Sequence, residues 1–145
     1  MPVVRLSVLL AVVTIALAVP IAVLAGGSGK RQAQPAFAFG RTGGNIVPAK
    51  VSIGRDGRVT TTGAVQTTLT QASTSLRNGL AKLALAEGFF SMPKFTACAG
   101  VNPDVASTFV TVSAAGKTRT VTVHGSCRSA FEELYAVLSA SVGAH

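Results

Sequence analysis

Residues 108–124 read TFVTVSAAGKTRTVTVH, in which polar and apolar residues alternate on both sides of the central pair Ala115-Gly116. Alternation with a period of two is typical of a strand with one buried face, so we predict strands over 108–114 and 118–124 joined by a tight turn. Four valines occupy the faces that we expect to be buried: Val110, Val112, Val121 and Val123. The stretch therefore predicts an antiparallel hairpin that has one face against a core.

The residues upstream predict three further strands, over 36–41, 49–53 and 59–69. Asp56-Gly57 separates the second from the third and supplies the positive φ that a short hairpin turn requires. The third strand is rich in threonine and is interrupted by Gly63. We therefore expect the second and third strands to pair with each other.

Two segments change to a helical period. Leucines at i, i+4 and i+7 (Leu76, Leu80, Leu83) predict an amphipathic helix over 70–87, with Thr70 as N-cap and Gly88 as its stop. A second helix over 129–141 has one apolar face, made of Phe131, Leu134, Tyr135 and Leu138. Residues 93–107, between the first helix and the hairpin, are predicted to form a loop.

The predicted order is βββαββα. Two helices packed on one face of an antiparallel sheet of about five strands is the simplest layered arrangement for it, so the predicted fold class is α+β. The domain is expected to span 36–142 and to be preceded by an apolar N-terminal helix.

The N-terminal residues 6–25 are LSVLLAVVTIALAVPIAVLA, and two interpretations of them stay open. Val23-Leu24-Ala25 ahead of Gly26 and Gly27 fits a signal peptide that is cleaved after Ala25, with Ala36-Phe37-Ala38 as a later site. Twenty largely apolar residues also approach the length of a membrane anchor, so residues 1–25 are a signal peptide or an anchor. Residues 26–35 are glycine-rich and basic and predict a flexible linker. Both interpretations imply an extracytoplasmic protein, either secreted or anchored in the cell membrane.

Cys98 and Cys127 are the two cysteines of the chain. An even number of cysteines in a small exported domain indicates a disulfide, and we predict the Cys98–Cys127 bridge. A structural zinc site needs four ligands, and His124 and His145 are badly placed to complete one. We therefore expect no metal site.

Three short motifs do not amount to a catalytic signature. Ser91-Met92-Pro93-Lys94 has Ser-x-x-Lys spacing but lacks the companion motifs of the penicillin-recognising enzymes. Gly116-Lys117-Thr118 lacks the upstream glycine of a phosphate-binding loop. His124 has no evident nucleophile or orienting acid. We predict that the protein is not an enzyme and has no catalytic, cofactor-binding or metal-binding residue, and an enzyme using Ser91 with Lys94, or His124, is the third-ranked hypothesis.

The chain is basic, with 13 Lys and Arg against five Asp and Glu and a formal charge of +8. These cations are scattered and few aromatic residues lie between them, which disfavours nucleic-acid binding. Four of them surround the predicted hairpin of the second strand: Arg41, Lys50, Arg55 and Arg58. If they formed a patch, it would attract anionic polymers of the cell envelope, but the scattered cations favour a solvated basic surface.

Two motifs carry a resemblance to a known family. The chain has Phe39-Gly40-Arg41-Thr42-Gly43-Gly44 at the start of the domain and Gly88-Phe89-Phe90-Ser91-Met92-Pro93 after the first helix. In this order, and followed by a closing hairpin and helix, they resemble the emfourin family, whose motifs are Phe/Ile-x-Arg-x-Gly-Gly and Phe-Phe-x-Leu-Pro. The matching residues are Phe39, Arg41, Gly43, Gly44, Phe89, Phe90 and Pro93.

The resemblance implies a cofactor-free protein that inhibits a thermolysin-like zinc metalloprotease by binding to it. The export segment, the two cysteines and Met92 in place of leucine depart from the family pattern, and no target-contacting residue can be carried over. The alternative is a cell-surface module that binds anionic envelope polymers or has a structural role.

Overall fold

The computed structural model describes residues 33–145, and the predicted N-terminal helix, the signal or anchor segment 1–25 and linker residues 26–32 lie outside them. The described residues form six strands, two α-helices and a 3-10 turn over Phe89–Ser91. The strands are β1 Ala36–Thr42, β2 Ala49–Ile53, β3 Val59–Gly63, β4 Phe95–Ala97, β5 Ser107–Ala114 and β6 Lys117–His124. The helices are α1 Thr74–Ala86 and α2 Ser129–Val142. Neither has the length and apolar content needed to cross a bilayer.

The six strands form one sheet in the order β3-β2-β1-β5-β6-β4. Strands β3, β2, β1, β5 and β6 pair antiparallel in that order, as predicted. Ala115 and Gly116 form the β5–β6 turn, and both have a positive φ. Strand β4, at the edge of the sheet, pairs parallel with β6. The sheet is therefore mixed, and the prediction of a purely antiparallel sheet is wrong. The Thr122 amide donates to the Lys94 carbonyl and the Cys98 amide to the His124 carbonyl, each at 2.9 Å.

The α+β class is confirmed, because both helices pack on one face of this sheet. The strand register places Phe37 and Phe39 of β1 beside Ile53 and Val51 of β2 and beside buried valines of β5. The same apolar cluster contains the buried apolar side chains of both helices, which are Leu80, Ala81, Ala84, Phe131, Leu134, Leu138 and Val142. The opposite face carries mainly threonine and serine, and two cross-strand hydroxyl pairs at 2.8 Å join Thr111 to Thr120 and Ser113 to Thr118.

Helix α1 begins later than the sequence predicts. Ser73, not Thr70, is its N-cap, and the Ser73 Oγ accepts a hydrogen bond from the Leu76 amide at 3.1 Å. Thr70 cannot start the helix because its carbonyl accepts from the Val59 amide at 2.9 Å, which holds residues 70–72 extended along the start of β3. Buried Arg77 of α1 donates to the Arg55 carbonyl and so fastens the helix to the β2–β3 turn.

The strand predicted over 59–69 ends at Gly63, which has a φ of 77°. A Cβ at this position would clash with the Pro48 carbonyl oxygen, so only glycine allows β3 to pass so close to β2. Residues 64–69, here called the brace, then run beside the end of α2. The amides of Thr68 and Leu69 both donate to the Val142 carbonyl at 3.1 Å, and the brace thereby closes one end of the core.

Candidate functional site

Two loops meet at one end of the sheet. The loop of residues 43–48 joins β1 to β2, and the loop of residues 98–106 joins β4 to β5. The Asn45 amide donates to the Asp104 carbonyl at 3.2 Å. Gly44 has a φ of 60°, and a Cβ there would clash with the Asp104 carbonyl and lie 2.8 Å from the Ala106 amide nitrogen. Glycine is therefore required for the loops to touch.

The second loop is also held by bonds of its own. The Asp104 amide donates to Asn102 Oδ1 at 2.9 Å, and the Val105 amide donates to the Asn102 carbonyl at 3.0 Å. An asparagine that bonds the backbone two residues further on gives a turn a defined shape. The second loop is thus held by hydrogen bonds of its own, and the first loop is held to it through Gly44 and Asn45.

These fixed loops expose apolar side chains. Ile46 is 36% exposed, Val47 66% and Val105 44%. We call these three residues the loop surface. Large apolar side chains that a rigid framework holds in solvent are characteristic of an interaction site.

A groove of about 410 Å³ lies next to the loop surface. It is bordered by the loop of residues 43–48, the ends of β1 and β2, the start of the brace and the C-terminal part of α2. Its apolar lining consists of Phe39, Ile46, Val47, Ala49, Val51, Ala64, Val65 and Ala144. Arg41, Lys50 and His145 also border it, but the Lys50 side chain points to the opposite face of the sheet because Lys50 precedes buried Val51. No acidic side chain lines the groove.

Most of the residues that carry the family resemblance have structural roles. Phe39 and Phe89 are fully buried in the core, and Phe90 packs edge-on against Phe89 with ring centroids 5.9 Å apart. Gly43 and Gly44 shape the first loop. The structure does not bring the two motifs to one surface, since Pro93 leads into β4, three positions from β1 in the sheet.

Arg41 is the exception among the motif residues, because its side chain is exposed and lines the groove.

The predicted disulfide is present. Cys98 and Cys127 are joined, with Cα atoms 5.8 Å apart, and no cysteine of the described residues is free. The bond ties the end of β4 to the segment between β6 and α2. It indicates an oxidising, extracytoplasmic environment.

His124 has a partner that the sequence interpretation missed. The Ser107 hydroxyl lies 3.2 Å from His124 Nδ1, because the two residues are directly opposite each other in the β5–β6 register. The register follows from the Ala115-Gly116 turn, so counting outward from it could have found the pair. Hydrogen bonds within the described chain give this imidazole no orienting carboxylate.

The other catalytic and metal candidates do not assemble. Ser91 ends the 3-10 turn and Met92 is extended, so the helical turn that would return Lys94 to Ser91 is not formed. Between residues 33 and 145, no three metal-ligating side chains are grouped.

The four cations near the first hairpin do not make one patch. Arg55 lies in the turn after Ile53, and Arg58 follows that turn in a bridge to Gln71, immediately before β3. Arg41 and Lys50 leave opposite faces of the sheet, because Arg41 alternates with buried Phe39 whereas Lys50 precedes buried Val51. The register therefore favours a dispersed basic surface, which is also the interpretation that the sequence favours.

Comparison of the chain with known proteins finds no matching family model, and no curated protein matches it. The described residues form a disulfide-linked α+β domain with an exposed apolar loop surface beside a groove that Arg41 lines.

Proposed function

We propose that this protein is an extracytoplasmic binding protein that inhibits a thermolysin-like metalloprotease by docking the loop surface onto it. The observation that carries the proposal is the contact between the two loops, which presents Ile46, Val47 and Val105 in a fixed arrangement. Docking a pre-ordered surface costs little conformational entropy, and apolar side chains at its centre contribute most of the affinity.

Two further observations support the proposal. The resemblance to the emfourin family supplies the class of target. The disulfide is typical of proteins outside the cytoplasm, where the domain would encounter a secreted or cell-surface protease. Residues 6–25 would act as the export signal or the anchor.

The test is inhibition of a panel of thermolysin-like proteases by the oxidised, exported protein. Inhibition should be lost in a double variant, Ile46→Asp with Val47→Asp, because two carboxylates would be buried in the interface without partners. Leu85→Asp is the matched control, because Leu85 is also exposed and apolar but lies on α1. Absence of inhibition by the unaltered protein at stoichiometric excess refutes the proposal.

Binding to anionic envelope polymers is the alternative, and the net charge of +8 supports it. The attraction is diffuse, because Arg41 and Lys50 leave opposite faces of the sheet. Retention on an anionic polymer that falls steeply between low and physiological salt would favour this alternative over inhibition.

A further inference from the structure

We propose that the groove beside the loop surface is a binding site for a medium-chain carboxylate, meaning an anion with an unbranched apolar chain. The proposal is independent of the proposed inhibition, although Ile46 and Val47 belong to both surfaces.

The size and lining of the groove fit a small ligand. A volume of about 410 Å³ falls in the range of small-molecule sites. Its floor includes Phe39 and Val51, each only 1% exposed, so the groove reaches the core of the domain. An apolar chain bound there would move out of water and into contact with the carbon atoms of the groove.

The charge of the groove selects the head group. Arg41 follows Phe37 and Phe39 at alternate positions of β1, so its side chain leaves the sheet on the face that carries the core. Its guanidinium can bind a carboxylate through two parallel hydrogen bonds. Arg41 is the cation on this face, because Lys50 precedes buried Val51 and its side chain points to the opposite face, and the lining has no acidic side chain to compete for it.

Helix α2 adds two hydroxyl groups. Tyr135 and Ser139 are four residues apart, which places them on one face of the helix, and both line the groove. The Tyr135 ring packs edge-on against Phe39 with centroids 5.8 Å apart, so its position is fixed. Donors on α2 and a cation on β1 therefore face one small volume.

The test is titration of the full-length oxidised protein, labelled with ¹⁵N, with octanoate. We expect saturable shifts in the amide signals of Arg41, Val51, Val65 and Tyr135. Arg41→Gln should weaken binding at least tenfold, since it removes a charge-assisted pair of hydrogen bonds. Arg41→Lys should recover part of the loss.

Arg58→Gln is the matched control, because Arg58 is also an exposed arginine but lies immediately before β3, outside the lining of the groove. It should bind octanoate like the unaltered protein. Titration with octanol tests whether the carboxylate is needed. If octanol bound as tightly as octanoate, the assignment of a carboxylate ligand would be overturned. Absence of saturable shifts in the groove residues would overturn the site itself.

Discussion

Removal of the disulfide should cost a large part of the stability of this domain. In the double variant Cys98→Ala with Cys127→Ala, the unfolded chain regains the freedom that a bridge across 29 residues removes. The chain-entropy relation for a loop of that length gives a loss of about 3.6 kcal/mol at 25 °C. Cys127 is exposed, so few packing contacts are lost with it and the entropy of the unfolded state should dominate.

Urea unfolding followed by circular dichroism measures this loss. With the m-value of a small domain, the midpoint should fall by about 1 to 4 M. The reduced unaltered protein is the control, and it should agree with the double variant within about 1 kcal/mol. A loss below about 1 kcal/mol in the double variant would refute the reasoning, because the bridge would then not restrict the unfolded chain.

Hydrogen exchange should show which part of the domain is destabilised when the disulfide is removed. Without the bridge, β4 keeps only its few bonds to β6, so the Cys98 amide and the Thr122 amide should lose protection first. The β5–β6 hairpin is hydrogen-bonded along eight residue pairs, and the amides that pair these two strands should stay protected.

Three further changes test other parts of the structure. Gly44→Ala should destabilise the domain by about 1–3 kcal/mol, because the new methyl group meets the second loop, and an unchanged urea midpoint would contradict the described contact. Phe89→Ala should cost about 3–5 kcal/mol in the same assay, and a loss under about 1 kcal/mol would show that Phe89 is not a core residue. Ser73→Ala should cost about 1 kcal/mol, whereas Thr70→Ala should cost less if Ser73 is the true N-cap.

Much of the fold follows from local patterns in the sequence. The alternation of Val110, Val112, Val121 and Val123 locates β5 and β6, because each strand has one buried face and one solvent-exposed face. The leucine period locates α1 and the apolar stripe locates α2 for the same reason. The disulfide follows from the number of cysteines.

What the sequence does not reveal depends on contacts between distant residues. Strand β4 has only three residues, too few to show a period, and its partner β6 lies more than 20 positions later. The helix start at Ser73 depends on Thr70 being held by Val59. The end of β3 depends on Pro48, which lies 15 residues before Gly63.

The candidate site was harder to foresee than the fold. Gly43 and Gly44 stand out in the sequence, but the reason for Gly44 is the backbone of residues 104–106, which no local pattern links to it. The groove combines β1, the brace and the end of α2, and its cation, Arg41, belongs to a motif whose other residues are structural.

The position of β4 at the edge of the sheet also orders the assembly of the domain. β4 precedes β5 and β6 in the chain but can pair only with β6, so it has no partner until the β5–β6 hairpin exists. The hairpin closes a two-residue turn, whereas β4 must close a much longer loop, and short loops close faster. We therefore expect Cys98 and Cys127 to meet late during oxidative refolding, after the hairpin has formed. Quenching of free thiols at successive times, compared with hairpin protection in pulsed hydrogen exchange, would contradict this order if the bridge formed first.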